Sequence, residues 1–362
     1  MRITKQTLYL IIVLVLIVGT IAYLQARKGG APNGDESAVS VTSPASQQRM
    51  QEKDAQYELA KEITSPDGFI NTDNITINDL VGKKVVLVDF WTYSCINCQR
   101  TLPYLNAWYD KYKDQGLEII GVHTPEFEFE KKYENVRSAV EQYNIKYPVV
   151  LDNDYSTWRA YNNQYWPRKY LVDIDGYVVY DHIGEGGYDE TEKEIQQLLQ
   201  ERNQVLGLNQ DISDDMVSPD NVVDMDVTQT RTPELYFGSA RNQYLGNGAR
   251  GSLGIQSFSL PNTLTRNRLY LAGEWDIQKE FAQNISENAT ITLPYQAKHV
   301  YIVADAQQSV SFDVFQDGAL VGTHTVDGAG TYEIISNQEY GKHTLEIRIH
   351  GAGLQAFTFT FG

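Results

Sequence analysis

The sequence predicts an α/β domain followed by an all-β sandwich of jelly-roll type, preceded by a single N-terminal transmembrane helix. Three patterns carry this reading: an apolar run over residues 8–24, strands alternating with helices over 53–207, and a switch to period-two alternation after Thr232. A length of 362 residues is too long for one typical domain and suits two, each with its own core.

The apolar run of 17 residues spans roughly 26 Å as a helix, enough to cross a bilayer core with help from Tyr9 and Tyr23 at its ends. A cleaved signal peptide would have a shorter apolar region and a small-residue cleavage site, so residues 1–28 are expected to be an uncleaved anchor. Lys and Arg flank both sides equally, so the run alone leaves its orientation open. Residues 29–52 carry almost no large apolar side chains and are expected to be a flexible tether.

In the 53–207 domain, residues 85–90 (Val-Val-Leu-Val-Asp-Phe) and 117–122 (Leu-Glu-Ile-Ile-Gly-Val) are runs of buried-strand type. A helix should begin near Cys95 and continue through Tyr112, and residues 127–143 have helical spacing. Asp175-Gly176 marks a hairpin, and Ile195, Leu198 and Leu199 put a closing helix on the core. Residues 208–231 contain six aspartates and are expected to form a solvated linker; they lack the spacing of a calcium loop. Within 232–362, Val310/Phe312/Val314, Leu345/Ile347/Ile349 and Phe357/Phe359/Phe361 alternate with polar residues, and Asp317-Gly318 marks another hairpin.

Composition narrows function. The formal charge is −17, and the chain beyond residue 28 holds 26 basic against 47 acidic side chains, which repels phosphate backbones and sets nucleic acid aside. The cysteines are two, Cys95 and Cys98, too few for a disulfide scaffold or a four-cysteine zinc site. Adding His123 gives at most three metal ligands, so no metal and no other cofactor is expected.

The decisive segment is residues 88–103, Val-Asp-Phe-Trp-Thr-Tyr-Ser-Cys-Ile-Asn-Cys-Gln-Arg-Thr-Leu-Pro. A buried strand runs into a turn, and a helix starts at the first cysteine. With Ser94 as the expected N-cap, the helix dipole should lower the Cys95 thiol pKa and make it the nucleophile. Cys98 lies one turn on, placed to close the Cys95–Cys98 disulfide and release a substrate. Asp89, in an apolar strand, should have a raised pKa and accept the Cys98 proton. Pro103 should kink the helix, and Trp166-Pro167, just before a strand, is a candidate cis bond where a substrate peptide docks.

Asp89-Phe-Trp91, Cys95-x-x-Cys98, Pro103 and Trp166-Pro167 together resemble the thioredoxin superfamily, and the order of elements resembles its extracytoplasmic TlpA-like branch. Residues 91–103, Gly121-Val-His-Thr-Pro-Glu126, Tyr165-Trp-Pro167 and Thr232-Pro-Glu-Leu-Tyr-Phe-Gly238 resemble the soluble part of DipZ-type proteins over roughly residues 55–362. The resemblance implies a thioredoxin-like domain and a carbohydrate-binding-module-like β-sandwich outside the cytoplasm, in the periplasm or on the cell surface. It also implies a thiol–disulfide oxidoreductase acting on disulfide-containing proteins, in the manner of cytochrome c biogenesis factors. Cys95, Cys98 and Asp89 would be catalytic, and Trp91, Trp166 and Pro167 would hold substrate. In that family the soluble part follows a multi-span CcdA-like domain; here one expected anchor stands in its place, so electrons would come from a separate CcdA-like membrane protein.

Three other readings compete. The same cysteine pair would serve a disulfide-forming oxidant. A peroxidase is suggested by Thr92-x-x-Cys95, but Val88 stands where that pattern has proline. A non-enzymatic glycan-binding surface protein would use Tyr236, Trp275, Tyr295 and Tyr301 as stacking platforms.

Overall fold

The structure, a computed structural model, describes residues 44–220, 222, 229 and 231–362. The expected anchor at residues 8–24 lies outside them, and among the described residues no helix is long and apolar enough to cross a membrane. The chain divides into two units, residues 1–52 and 53–362. The described end of the first departs from the expected tether. Pro44–Asp54 forms helix α1, because Pro44 suits a first helical position and the Gln, Arg, Met, Glu and Lys that follow are strong helix formers.

The larger unit opens with a seven-stranded sheet. Its strands are β1 (Glu58–Leu59), β2 (Gly68–Ile70), β3 (Val85–Trp91), β4 (Leu117–His123), β5 (Val149–Leu151), β6 (Arg168–Val172) and β7 (Tyr177–Ile183). They lie in the order β1-β7-β6-β3-β4-β5-β2, with β3, β4 and β5 parallel and the rest antiparallel. Helices α2 (Ile77–Leu80), α3 (Ile96–Tyr112), α4 (Tyr133–Gln142), α5 (Ser156–Ala160) and α6 (Tyr188–Leu206) accompany it. The helical spacing over residues 127–143 resolves into a 3-10 turn, Glu128–Lys131, and α4.

β3 is buried along its whole length, so alternate residues feed two cores. Val86, Val88 and Phe90 enter one, while Leu87 and Trp91 enter the other with Leu105 and Trp108 of α3 and Ile195 of α6. Asp89 falls on the second face by period, and its buried carboxyl lies within electrostatic reach of Cys98 in the first turn of α3.

Residues 208–220 keep their aspartates exposed, as their charge suggests, but the segment is anchored between them. Ile212 and Val217 pack on the first domain's core. Val217 N–H donates to buried Glu192 at 2.9 Å, and Lys111 and Gln196 donate to the Asp215 carbonyl. The apolar residues dock on the domain and meet the buried Glu192 of α6, while the aspartates between them stay in water.

The C-terminal region is all β. Its strands are β8 (Leu235–Tyr236), β9 (Gly254–Phe258), β10 (Tyr270–Ile277), β11 (Ala282–Asn284), β12 (Thr290–Asp305), β13 (Val310–Gln316), β14 (Ala319–Val326), β15 (Gly330–His350) and β16 (Gln355–Phe361). All pairings among them are antiparallel. They form one hydrogen-bonded sheet wrapped around a single core, rather than two separate sheets. The long strands β12 and β15 serve both sides, and a register shift between Ala297 and His299 bends them from one to the other. Asp317 and Gly318 both have positive φ, the geometry a tight turn between β13 and β14 demands.

The expected run Phe357/Phe359/Phe361 on one face is broken. A bulge in the β12–β16 pairing sets Val303 opposite Thr358 and Ala304 opposite Ala356, so Phe357 turns to the other side. There it meets Phe127 at 5.1 Å, Phe129 at 4.8 Å and Phe281 at 5.1 Å between ring centres. Phe357 and Val303 thereby join the core of the first domain.

Candidate active site

Cys95 is the residue before α3 and itself caps the helix: its Sγ accepts the Cys98 N–H at 3.3 Å. Ser94, the expected cap, is instead held from behind by Glu130. The fully buried Glu130 carboxylate accepts Ser94 N–H at 3.2 Å and Ser94 Oγ–H at 2.6 Å with one oxygen, and Glu126 and Phe127 N–H at 2.6 and 2.9 Å with the other. Burial pushes this carboxyl up to about 7, against the pull of the hydrogen bonds from Ser94 and Thr92. One side chain thus ties the cysteine turn to the loop after β4. Glu130→Ala leaves all four donors unanswered and is expected to cost about 3 kcal/mol or more in urea unfolding, with Glu130→Gln recovering part of it. Equal stability of the two variants would refute this role.

The thiols depart from expectation. Cys95 is partly exposed and Cys98 is buried, and both are free. Burial raises the Cys95 pKa and outweighs the hydrogen bonds from Cys98, with Glu234 and Glu126 raising it further. The helix terminus alone predicts the opposite sign; the enclosing walls and two carboxylates reverse it. Cys98 is pushed higher still, by burial first and then by Cys95.

Asp89 is 1% exposed and one of its oxygens has no hydrogen-bond partner. Burial drives it up to about 7 against the attraction of Lys169, which stands opposite in the β3–β6 register. Lys169 is itself buried, burial pulls its pKa down, and it donates to the Gly184 carbonyl at 3.2 Å. The Asp89 charge also acts on Cys98, so carboxyl, ammonium and resolving thiol form one buried group.

Trp91 does not reach substrate. It is wholly buried, edge-on to His123 at 5.1 Å, because its strand position points into the core. A Cβ on Gly121 would lie 3.0 Å from the Trp91 indole nitrogen and 3.1 Å from Tyr147, so a larger residue here would press on both rings. Trp166 does border the cysteines. Its indole donates to Thr124 O at 3.0 Å and packs 4.2 Å from Trp158, and the Trp166–Pro167 bond is cis.

Among the described residues, His123 belongs to no cluster of groups that could share a metal ion. It is wholly buried, its Nε2 accepts the Tyr93 N–H at 3.3 Å, and burial lowers its pKa to about 3. Among the described residues, Asp173, Asp175 and Glu201 approach closely enough to share an ion, and the Lys53 ammonium sits among them at 2.5–2.9 Å.

The all-β domain completes the site. Arg241 bridges to Glu126 at 2.6 Å while its guanidinium lies 3.8 Å from the Tyr236 ring centre, and Tyr236 also donates to Glu126 at 2.9 Å. Thr331 Oγ donates to the Ser94 carbonyl at 2.7 Å, and Glu128 N–H donates to Glu280 at 2.9 Å. Between these contacts a cleft of about 270 Å³ opens over Cys95, with Trp166 and Tyr165 on one wall and Glu234, Tyr236 and Arg241 on the other. The proposed sugar platforms are not available as such: Trp275, Tyr295 and Tyr301 are buried, and Tyr236 lies under Arg241.

Reasoning from sequence missed Lys169, Glu130 and the Glu126–Arg241–Tyr236 cluster. A lysine inside the strand after Trp166-Pro167 was a usable signal for the first. The cluster joins residues 115 positions apart and has no local signature.

Residues 57–181 match the AhpC/TSA family, and residues 232–362 match a thioredoxin-like C-terminal domain family. The chain is 36% identical to Protein DipZ of Mycobacterium tuberculosis (strain CDC 1551 / Oshkosh) over 354 residues, which is 95% of this chain and 48% of DipZ. It therefore spans about half the length of that relative. It is 30% identical to the thiol-disulfide oxidoreductase YkuV of Bacillus subtilis, covering 39% of this chain and 93% of YkuV. It is 34% identical to the thiol-disulfide oxidoreductase ResA of Bacillus cereus, covering 34% of this chain and 75% of ResA. A solved thioredoxin-like protein in its oxidized form covers 40% of this chain and 97% of its own, at 28% identity and a TM-score of 0.38.

Proposed function

Since the chain belongs to the thioredoxin superfamily, as a DipZ-like thiol–disulfide oxidoreductase, we propose that it is held at a membrane by residues 8–24 and reduces disulfides of partner proteins outside the cytoplasm. The observation that carries the reading is the stacking of roles in depth. Cys95 meets the cleft, Cys98 lies buried one turn behind it, and Asp89 waits beneath with an unpartnered oxygen.

In this mechanism Cys95 thiolate attacks one substrate sulfur, and the other leaves as a thiol after taking a proton. Cys98 then attacks Cys95 Sγ, passing its proton to Asp89, and the second substrate thiol departs. Two electrons move from the cysteine pair to the substrate. Burial and nearby carboxylates work against thiolate, so the dithiol form gains no charge stabilisation, and that favours a reductant over an oxidant. A separate CcdA-like membrane protein is the proposed source of electrons, and Trp166 and Pro167 the proposed floor for substrate backbone.

Cys98→Ser in the full chain should accumulate mixed disulfides through Cys95, whereas Cys95→Ser should trap none. Absence of any adduct while Cys95 still reacts with iodoacetamide would overturn the mechanism. Titration against a thiol–disulfide buffer fixes direction: a potential near or below about −220 mV is expected, and one near about −120 mV would mean an oxidant.

A further inference from the structure

We infer that the all-β domain makes this site charge-selective, admitting disulfides on small molecules or thin chain segments that carry a positive charge close to the sulfur. This deepens the proposed reduction reaction and rests on it. The opening over Cys95 is bounded on the far side by residues of the second domain, and about 270 Å³ is at the small end for a ligand site. Arg241 and Tyr236 stand in the wall beside the sulfur, so a narrow disulfide fits this opening better than a broad protein surface.

The charge inside this opening is unbalanced. Arg241 faces two carboxylates, Glu126 and Glu234, and is committed to Glu126 at 2.6 Å and to the Tyr236 ring at 3.8 Å. Glu234 lies 2.8 Å from the Tyr236 hydroxyl, whose one proton it shares with Glu126, accepts the Thr360 hydroxyl at 3.5 Å, and among the described residues forms no ion pair. Burial and the Glu126 charge both work against the Glu234 carboxylate, and Arg241 offsets them only in part. A cation beside the substrate disulfide would supply the missing partner, and an anion there would add to the opposition. Both carboxylates line the same cleft as Cys95, within electrostatic reach of its sulfur.

The step balances on the chain's own cysteines. Reduced Cys95 and Cys98 give two electrons and two protons to the substrate disulfide and close into the Cys95–Cys98 disulfide, leaving two substrate thiols. The test mixes the pre-reduced full chain with three disulfides of similar size: cystamine (cationic), hydroxyethyl disulfide (neutral) and dithiodipropionate (anionic). Each rate is divided by that of free dithiothreitol on the same disulfide, which removes differences in intrinsic reactivity. A second arm uses disulfide-linked hexapeptides with Lys or with Glu beside the cysteines.

The normalised rate should favour the cation over the anion on the order of tenfold at low salt and less at high salt. Glu234→Gln should shrink that ratio, and Glu234→Lys should invert it. Any change these variants make to the Cys95 thiolate cancels in the ratio. Preference seen with small disulfides alone assigns a small-molecule substrate, and preference extending to the peptides assigns a chain segment; either upholds the inference. Turnover of all three with no charge order, or an order that Glu234→Lys leaves unchanged, overturns it. Failure to reduce any disulfide would instead overturn the proposed reaction.

Discussion

Asp89→Asn is expected to make the protein more stable and worse at resolving substrates, and both effects should depend on pH. The folded carboxyl holds its proton up to about 7, against 3.8 for the ordinary group. Because folding raises this pKa, the stability it permits is complete below pH 4 and is lost as pH rises through 7. The difference corresponds to about 4 kcal/mol above pH 7. Asparagine cannot ionise, so the variant should unfold several degrees higher than the parent at pH 8, with the gap closing towards pH 4. The kinetic effect has the opposite sign. Without an acceptor below Cys98, release of a mixed disulfide should slow on the order of a hundredfold at pH 7, and its inflection near pH 7 should vanish. Thermal unfolding across pH and quenched-flow release of a labelled peptide check the two halves. A variant that is less stable at pH 8, or that keeps the inflection, would remove Asp89 from this role.

Phe357→Ala should cost about 3–5 kcal/mol, the loss expected when a buried phenylalanine leaves a cavity. The side chain is 3% exposed and three phenylalanine rings lie within about 5 Å of it. Two of them are tied to Glu130, Phe129 as its neighbour in the chain and Phe127 through its N–H, so the loosening should reach the cysteine turn. Urea unfolding of the variant should split into two transitions where the parent shows one, and Cys95 should alkylate faster as its walls withdraw. A loss below 1 kcal/mol with unchanged Cys95 reactivity would show that Phe357 does not join the domains. The same substitution at Phe359, which lies in the all-β core, should destabilise without accelerating Cys95.

Much of the site was legible because it is local. Cys95, Cys98 and Asp89 lie within ten residues, and a buried strand running into a helix start dictates how they stack. The hairpins at Asp175-Gly176 and Asp317-Gly318 were legible for the same reason, since turn chemistry is written in adjacent residues. Errors came where a residue's environment is supplied from elsewhere in the chain. Trp91 looked like a substrate contact, yet glycine at 121 makes room for its indole in the core. Phe357 obeys period two on paper, and a single bulge reverses its face. The aspartates of residues 208–220 are solvated as read, but the docking of Ile212 and Val217 between them on the first domain was not legible.

By itself, then, the sequence determined a redox cysteine pair at a helix start, the α/β and all-β division, and the carboxyl beneath the pair. These follow from periodicity and spacing along one stretch of chain. Only the tertiary structure decided the sign of the Cys95 pKa shift, the partnership of Asp89 with Lys169, and the second wall over the thiol. Each depends on desolvation and charge from residues 31 to 146 positions away, and no local pattern encodes where folding will bring them.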